Sequence, residues 1–164
     1  MAFAAYCKIS NIPGESSDKE HKGEIKIKEY SHQVSQRCNW GDAAGGLSAG
    51  GAEFKQFKFT HILDKATANL NLFCAKGEHI DSIVITVMHS ASGPKPLMEY
   101  SFKKCLITEV KVEAGIKDEY ERPIESVTFA YDEINLKYTA YDDALAKEGE
   151  YTAGWSLKEN TAIA

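Results

Sequence analysis

The chain has 164 residues, of which 43% are hydrophobic and 26% are charged, an ordinary composition for one globular domain. Its formal net charge is −5, and the sequence contains no run of Lys and Arg residues, which argues against a nucleic-acid partner. No stretch approaches the ~20 apolar residues of a membrane helix, and the N-terminus lacks the apolar core of a signal peptide. We therefore expect one domain over residues 1–164, made in the cytoplasm, without a cleaved signal peptide and without membrane insertion.

The first part of the chain alternates apolar and polar residues with a period of two, which predicts β-strands. Residues 4–12 predict a first strand that ends at the Pro13-Gly14 turn, and residues 24–36 predict a second. Within the second strand the apolar residues move from odd to even positions, which indicates a β-bulge. Residues 15–23, between the two strands, form a polar loop with charges of both signs.

A glycine-rich segment follows the second strand. Residues 41–52 contain five glycines and no apolar period, so they are predicted to form a long, mobile loop. No Gly-Lys-Ser/Thr follows, which argues against a phosphate-binding loop. A loop of this length in a compact domain is either functional or disordered, and the sequence leaves both open.

One segment of the chain spaces its apolar residues as a helix does. It predicts an α-helix over about residues 65–77, with Asp64 or Thr67 capping its start and Gly77 closing its end. A single amphipathic helix beside many strands is expected to cover one flank of the sheet. Three further strand patterns surround it: residues 53–63, 79–90 and 97–114.

Residues 121–141 are the stretch on which the predicted fold depends. Apolar residues alternate on odd positions up to Tyr131 and on even positions from Ile134 onward. The change at Asp132-Glu133 lacks the Asn-Gly or Asp-Gly of a two-residue hairpin, so we predict one long strand that bends at a β-bulge from one sheet into another. Two bent strands, at residues 24–36 and 121–141, favour a sheet that closes into a barrel. The predicted fold class is mainly β, a two-sheet β-barrel with one flanking α-helix.

The residues carry no pattern typical of a catalytic or metal site. The five histidines lack zinc-site spacings, and there is no Gly-x-Ser-x-Gly motif. Histidines that fall in line with a strand's apolar face, such as His61, are interpreted as structural. No pattern in the residues requires an enzyme, a cofactor or a metal. The widely spaced cysteines are expected to be reduced thiols, although disulfides stay open for a protein that works outside the cell: Cys7, Cys38, Cys74 and Cys105.

Four segments resemble, in the same order, the haemolysin-coregulated protein (Hcp) family of bacterial type VI secretion systems. Residues 6–23 resemble its opening, and residues 64–77 its single helix. Residues 121–129, Glu-Arg-Pro-Ile-Glu-Ser-Val-Thr-Phe, are similar to its strongest signature, and Gly154-Trp-Ser-Leu to its C-terminal motif. Together these matches span nearly the whole chain. Cys7, where an aliphatic residue is usual, and the many glycines of residues 41–52 depart from the family pattern.

The resemblance implies a two-sheet β-barrel with a flanking helix, six copies of which form a ring around a wide channel. Rings stack into a secreted tube whose partners are the spike protein, the contractile sheath, the baseplate and effector proteins carried in the lumen. It implies a structural protein without catalysis and without a fused toxin domain. Two alternatives stay open. One is a barrel that carries a small ligand or an effector without tube assembly. The other is a cell-wall hydrolase, whose only support in the sequence is a number of unpaired carboxylates.

Two segments are candidates for ring stacking and assembly. The mixed charges of residues 15–22 are expected to set the register of contact more than its strength, and the flexible glycine-rich segment must lose conformational entropy on docking, so stacking should be weak. A set of lysines at polar strand positions offers surface that could line the channel: Lys26, Lys28, Lys55, Lys58 and Lys103. The stacking candidates are Glu15, Asp18, Glu20, His21 and Lys22 in the polar loop and Gly45, Gly46, Leu47, Gly50 and Gly51 in the glycine-rich segment.

Overall fold

A computed structural model describes residues 3–41, 45–89, 94–114 and 122–163. Ten strands and one helix lie in these ranges. The elements are β1 Ala5–Ile9, β2 Ile25–Ser31, β3 Val34–Trp40, β4 Leu47–Phe54, β5 Phe57–Ile62, α1 Thr67–Lys76, β6 His79–Met88, β7 Pro96–Glu113, β8 Ile124–Tyr141, β9 Lys147–Ser156 and β10 Thr161–Ile163.

Six of the described strands close into a barrel. They run in the order β8-β5-β2-β1-β6-β7, and the antiparallel pairing of β7 with β8 completes the circle. Strands β9 and β10 extend the sheet beyond the barrel from β8, while β3 and β4 form a separate two-stranded sheet. The predicted mainly-β barrel with one helix is confirmed.

Aromatic side chains fill the barrel interior. Phe57, Phe102 and Phe129 come from three strands, are fully buried, and place their ring centroids 5.0 to 5.4 Å apart. Each points inward because alternate residues of a strand face the same side of the sheet. Burial of one such side chain stabilises the fold by about 1.5–3 kcal/mol, so this cluster anchors the closed architecture.

Strand β8 is the shared strand, as predicted. It pairs with β5 over residues 124–129 and with β9 over residues 133–141, while β7 follows it along nearly its whole length. Its buried positions are odd up to Tyr131, the next buried residue is Ile134, and Thr139 is buried again at an odd position. The predicted bulge at Asp132-Glu133 is wrong, because the register of β8 against β7 is unbroken there.

The change of face arises in the neighbouring strand. Lys104 of β7 has a φ of 54° and is skipped in the ladders of β7 with both β6 and β8. The inward residues of β7 change at this point from Phe102 to Cys105. The inward-facing positions of both strands therefore change at the same level of the barrel. The cause is the left-handed conformation of Lys104 in β7, not a bulge in β8.

Two other sequence predictions are wrong in part. Residues 24–36 are two strands, β2 and β3, in different sheets, although the predicted bulge of the first is confirmed between Ile27 and Glu29. The glycine-rich segment is a strand over residues 47–54, and residues 42–44 of the predicted loop lie outside the described ranges. Glycine is depleted in strands, but β4 uses Gly50 and Gly51 at a bulge against Arg37.

The helix begins later than predicted and ends as predicted. Gly77 adopts the left-handed conformation at φ 64°, donates its N–H to Cys74 O, and closes α1. Asp64 and Thr67 tighten the preceding turn: Asp64 Oδ1 accepts the N–H of Ala66 at 2.8 Å, and Thr67 Oγ1 accepts that of Asp64 at 3.2 Å. The buried Leu70 packs the helix onto the barrel flank.

Candidate functional site

The two candidate assembly segments lie at opposite ends of one strand. Strand β2 begins just after residues 15–22, which we call the charged loop, and ends just before the β3–β4 pair, which we call the glycine hairpin. Seven residues in β conformation span about 23 Å at ~3.3 Å per residue. Because β5 runs antiparallel to β2, the start of α1 lies at the same end as the charged loop. The subunit therefore has a loop end and a hairpin end.

The glycine hairpin projects from the barrel with little support. All residues of β3 and nearly all of β4 are exposed, and Trp40, paired with Leu47, is 79% exposed. The hairpin joins the body at its base, where the rings of Phe54 and Trp155 stack with centroids 6.3 Å apart. An isolated two-stranded sheet is marginally stable in water. Exposed apolar side chains on such a sheet favour a protein-binding role.

The glycine candidates take three different places in this hairpin. Gly45 has a φ of 70°, which favours glycine, and Gly46 follows it in open space among the described residues. Gly51 donates its N–H to Gln36 Oε1 at 2.6 Å, and a Cβ on Gly50 would meet the Arg37 side chain at 3.0 Å. These glycines shape the hairpin backbone.

The charged loop is folded on itself by its acidic residue Asp18. Asp18 Oδ1 accepts the N–H groups of Glu20 at 2.9 Å and His21 at 3.2 Å. The hydrogen bond from Glu20 is the main cause that lowers the pKa of the Asp18 carboxyl. Glu20 and Lys22 project into solvent, as does Lys19, so these side chains are available to another surface.

His21 is held between two neighbours. Its ring stacks on Tyr6 of β1 with centroids 4.4 Å apart and planes 5° from parallel, and its Nδ1 lies 3.0 Å from Glu24 Oε2. The Tyr6 hydroxyl donates to Asp18 Oδ2 at 3.3 Å, and burial, then Asp18, raises the pKa of Tyr6. Asp18 and His21 therefore fix the loop shape rather than extend from it.

Glu15 ties the charged loop to the barrel. Its Oε1 accepts the Lys65 N–H at 2.9 Å, and its Oε2 lies 3.6 Å from Arg122 Nη1. A cleft of about 430 Å³ opens beside it, between the loop and the outer face of β2, with Lys26 and Asp64 among its walls. The sequence placed Glu15 in a stacking surface without signalling these internal contacts, which depend on elements distant along the chain.

A buried ionisable pair lies beneath the loop end, and sequence reasoning missed it. His61 and Glu125 are both 0% exposed, with His61 Nε2 2.9 Å from Glu125 Oε1. His61 Nδ1 lies 3.8 Å from Asp64 Oδ1. Burial raises the pKa of Asp64, and the hydrogen bond from Ala66 opposes that shift. The alternation of β5 identified His61 as inward-facing, but nothing local links it to a residue 64 positions away.

Further exposed apolar side chains lie on four other elements. Tyr138 of β8 and Tyr151 of β9 are paired across the ladder, and Tyr151 is 68% exposed. Leu72 of α1 and Val112 of β7 are exposed on other elements. Large exposed apolar groups on distinct surfaces are typical of protein contacts.

Neither metal chemistry nor a membrane helix has support in the parts of the chain that the structure describes. No group of three or more His, Cys, Asp or Glu side chains in these ranges is placed to hold a metal ion. No described helix is both long enough and apolar enough to cross a bilayer.

Comparisons with known proteins agree with one another. Residues 6–138 match the sequence model of the family described as "Type VI secretion system effector, Hcp". Protein hcp1 of Pseudomonas aeruginosa is 29% identical over 164 residues, covering 98% of each chain.

Two solved structures share the fold. Hcp1 from Salmonella typhimurium superposes with a TM-score of 0.81 at 26% identity, covering 99% of this chain and 100% of that one. A type six secretion system protein superposes with a TM-score of 0.92 over 99% of this chain and 100% of its own, at 24% identity, a likeness that concerns the fold alone.

Proposed function

The chain belongs to the Hcp family of type VI secretion proteins, and from that premise we propose that it is the subunit of a hexameric ring that stacks into the secreted inner tube of such a system. The observation that carries this proposal is the two-ended subunit, with the glycine hairpin at one end of β2 and the charged loop at the other. A subunit with unlike ends can repeat head to tail without limit.

Ring closure requires a heterologous interface, in which two different surfaces of each subunit meet. The paired side chains of Tyr138 and Tyr151 supply one candidate surface, and the exposed side chains of Leu72 on α1 and Val112 on β7 are candidates for the other. Aromatic residues are enriched at the centres of interfaces, where both rings become buried. We assign the lateral contact of the ring to these exposed side chains.

Ring stacking is assigned to the hairpin and the loop. Trp40 and Leu47 offer apolar surface at the hairpin end, and Glu20 and Lys22 offer charges at the loop end of the next ring. Ordering a weakly supported hairpin costs conformational entropy, so the contact is weak in solution. High protein concentration or a nucleating partner, such as the spike protein, promotes it.

The remaining partners follow from this role. The contractile sheath surrounds the tube, and the baseplate starts its assembly. Effector proteins travel in the lumen, where outward-facing lysines such as Lys26 and Lys58 offer a polar wall. The function includes no catalytic step. A barrel that holds a small ligand inside has less support, because Phe57, Phe102 and Phe129 occupy the interior.

A deletion that removes most of β4 from the glycine hairpin tests the stacking assignment. Deletion of residues 44–51 is expected to leave hexamers intact and to abolish tubes and secretion. The paired change Trp40→Ser and Leu47→Ser keeps the backbone and should weaken stacking alone. If the deletion broke hexamers into monomers, the hairpin would belong to the lateral interface and the assignment would be wrong.

A further inference from the structure

The glycine hairpin is connected to the barrel by two short segments of chain, which together we call the hairpin joint. His32 and Gln33 connect β2 to β3, and Lys55 and Gln56 connect β4 to β5. The Lys55 N–H donates to Gln33 O at 3.0 Å, which ties the two segments side by side. A change in the orientation of the hairpin relative to the barrel must therefore bend this joint.

His32 is the one residue of the hairpin joint that packs into the barrel. The other three residues of the joint are exposed, whereas His32 is half-buried. Its ring lies against those of Tyr100 on β7 and Phe57 on β5, with centroids 5.6 and 6.3 Å away. The imidazole therefore fixes the joint to the aromatic side chains at this end of the barrel.

The surroundings of His32 suit the neutral ring better than the imidazolium. His32 Nδ1 is buried and has no hydrogen-bond partner in the described parts of the chain. In the neutral ring this atom can be the unprotonated nitrogen, but in the imidazolium it carries an N–H that would find no acceptor. Burial accordingly lowers the pKa of His32. The attraction of a cation to the faces of Tyr100 and Phe57 opposes this shift but does not supply the missing acceptor.

The groups packed around His32 provide no competing switch in the described ranges. Burial, then the hydrogen bond with Tyr30 of β2, raises the pKa of Tyr100, so this phenol stays neutral at acid and neutral pH. Phe57 carries no charge. The charged residues beside these positions either alternate to the outer face of the sheet or pair with one another: Glu29, Lys58, Glu99 with Lys137, and Lys55 with Glu53.

The other attachments of the hairpin do not respond to mild acid. Tyr131 donates its hydroxyl to Lys55 O at 3.0 Å, and burial raises the pKa of Tyr131 to about 12. Two further attachments join uncharged groups: Thr108 Oγ1 with Gln56 Oε1 at 2.5 Å, and the ring of Phe54 with that of Trp155. Among the described attachments, His32 is therefore the one that titrates between about pH 5 and 8.

We propose that His32 is an acid-sensitive pin that fixes the glycine hairpin to the barrel. The neutral ring packs against Tyr100 and Phe57 and holds the joint in one orientation. In acid the ring leaves this site for water, where it binds a proton more readily, and the hairpin loosens. The sign follows from linkage: the released state binds more protons than the docked state, so docking is lost as pH falls below about 6.5, the ordinary pKa of histidine.

The consequence for stacking rests on the proposed function, in which this hairpin contacts the next ring. A loosened hairpin loses more conformational entropy on docking, so stacking should weaken in acid while the rings persist. The two claims fail separately. Tubes that form while the joint ignores pH would leave the tube standing and rule out the pin. A joint that opens in acid, in particles that never stack, would do the reverse.

Hydrogen exchange read by mass spectrometry tests the pin in the intact protein. Exchange of the imidazole C2 hydrogen should give His32 a pKa below about 6.5. Between about pH 7.5 and about pH 5 the protection factor of the Lys55 N–H, corrected for intrinsic exchange, should fall by about threefold or more. Its fall is limited to about thirtyfold, because about pH 5 lies ~1.5 units below the ordinary pKa. A Lys55 protection factor that ignores pH, or a His32 pKa that is not lowered, would overturn the proposal.

Two variants separate the pin from general effects of acid. His32→Phe keeps a ring in the site without a titratable nitrogen and should make protection at Lys55 independent of pH; a dependence that persisted would contradict the pin. His79→Gln removes an exposed histidine of β6, and the dependence must survive it. Its loss there would assign the effect to His79. If His32→Phe does not fold, the wild-type exchange still decides.

Discussion

Gly14 packs directly against the backbone of Glu24, since a Cβ at position 14 would lie 2.5 Å from the Glu24 carbonyl oxygen. Two backbone hydrogen bonds close the contact, from Gly14 N to Gly23 O at 2.8 Å and from Ser16 N to Glu24 O at 2.9 Å. Position 14 therefore requires glycine, because no larger residue fits against this backbone. This contact fixes the base of the charged loop.

The first prediction is that Gly14→Ala destabilises the protein. The added methyl has no room, and the Glu24 backbone must shift, which should lower the free energy of unfolding by about 1–3 kcal/mol. Urea denaturation measures it. Gly46→Ala is the matched control, because a Cβ there meets nothing within 4 Å in the described structure, and its effect should stay within about 0.5 kcal/mol. Equal midpoints for the two variants would contradict the contact.

The second prediction concerns the helix that covers the barrel flank. Leu70 of α1 is 0% exposed and Leu72 is 46% exposed, two residues along the same helix. Leu70→Ala should cost about 2–5 kcal/mol of stability through lost burial and a cavity, whereas Leu72→Ala should cost far less in the isolated subunit. Thermal unfolding separates them. A Leu72 effect as large as that of Leu70 would mean that the helix faces are assigned wrongly.

Much of this fold could be predicted from local patterns, and the exceptions have physical causes. The inward residues of β8 up to Ile134 were readable because a half-buried strand alternates, but the predicted alternation fails beyond it, where Tyr138 is exposed and Thr139 is buried. The glycine hairpin was not, since Gly50 and Gly51 erase the alternation that identifies a strand, and the bulge that needs them appears only in the pairing with β3.

The candidate site divides in the same way. Charge and glycine content pointed to Glu20, Lys22 and the hairpin as exposed segments, and the structure places them at the surface. The internal role of Glu15 and the His61–Glu125 pair depend on contacts between distant parts of the chain, which no local pattern encodes.

The third prediction is that the cysteines differ in reactivity. All four lie in the described ranges and are free; Cys38 is exposed, whereas Cys7 and Cys105 are buried. Burial raises the pKa of Cys7 well above its usual range and that of Cys105 to about 12, so both remain unreactive thiols at pH 8. A thiol reagent should therefore show a fast phase that Cys38→Ser removes.

A reductant should leave the melting temperature unchanged, which is the control for this prediction. A fall of roughly ten degrees would reveal a stabilising disulfide. A fast phase that persisted in Cys38→Ser would show that a second thiol is accessible, and Cys74→Ser would show whether it is the half-buried Cys74.

The fourth prediction concerns the environment of Trp40 in assembled tubes. Its side chain is exposed in the free subunit, so its emission should shift to the blue when rings stack and the hairpin becomes buried. Trp155 is half-buried and would mask part of the change, so Trp155→Phe simplifies the measurement. Emission that stayed unchanged while tubes formed would exclude the hairpin from the stacking contact.

The mass of the particle in dilute neutral buffer tests the central claim most directly. Light scattering coupled to size exclusion, at micromolar concentrations, should return six times the mass of one chain. Changing Tyr138 and Tyr151 to Ser should lower that mass, because a lateral interface loses its aromatic centre. A wild-type mass equal to one chain at every micromolar concentration would contradict the account of this protein as the subunit of a ring.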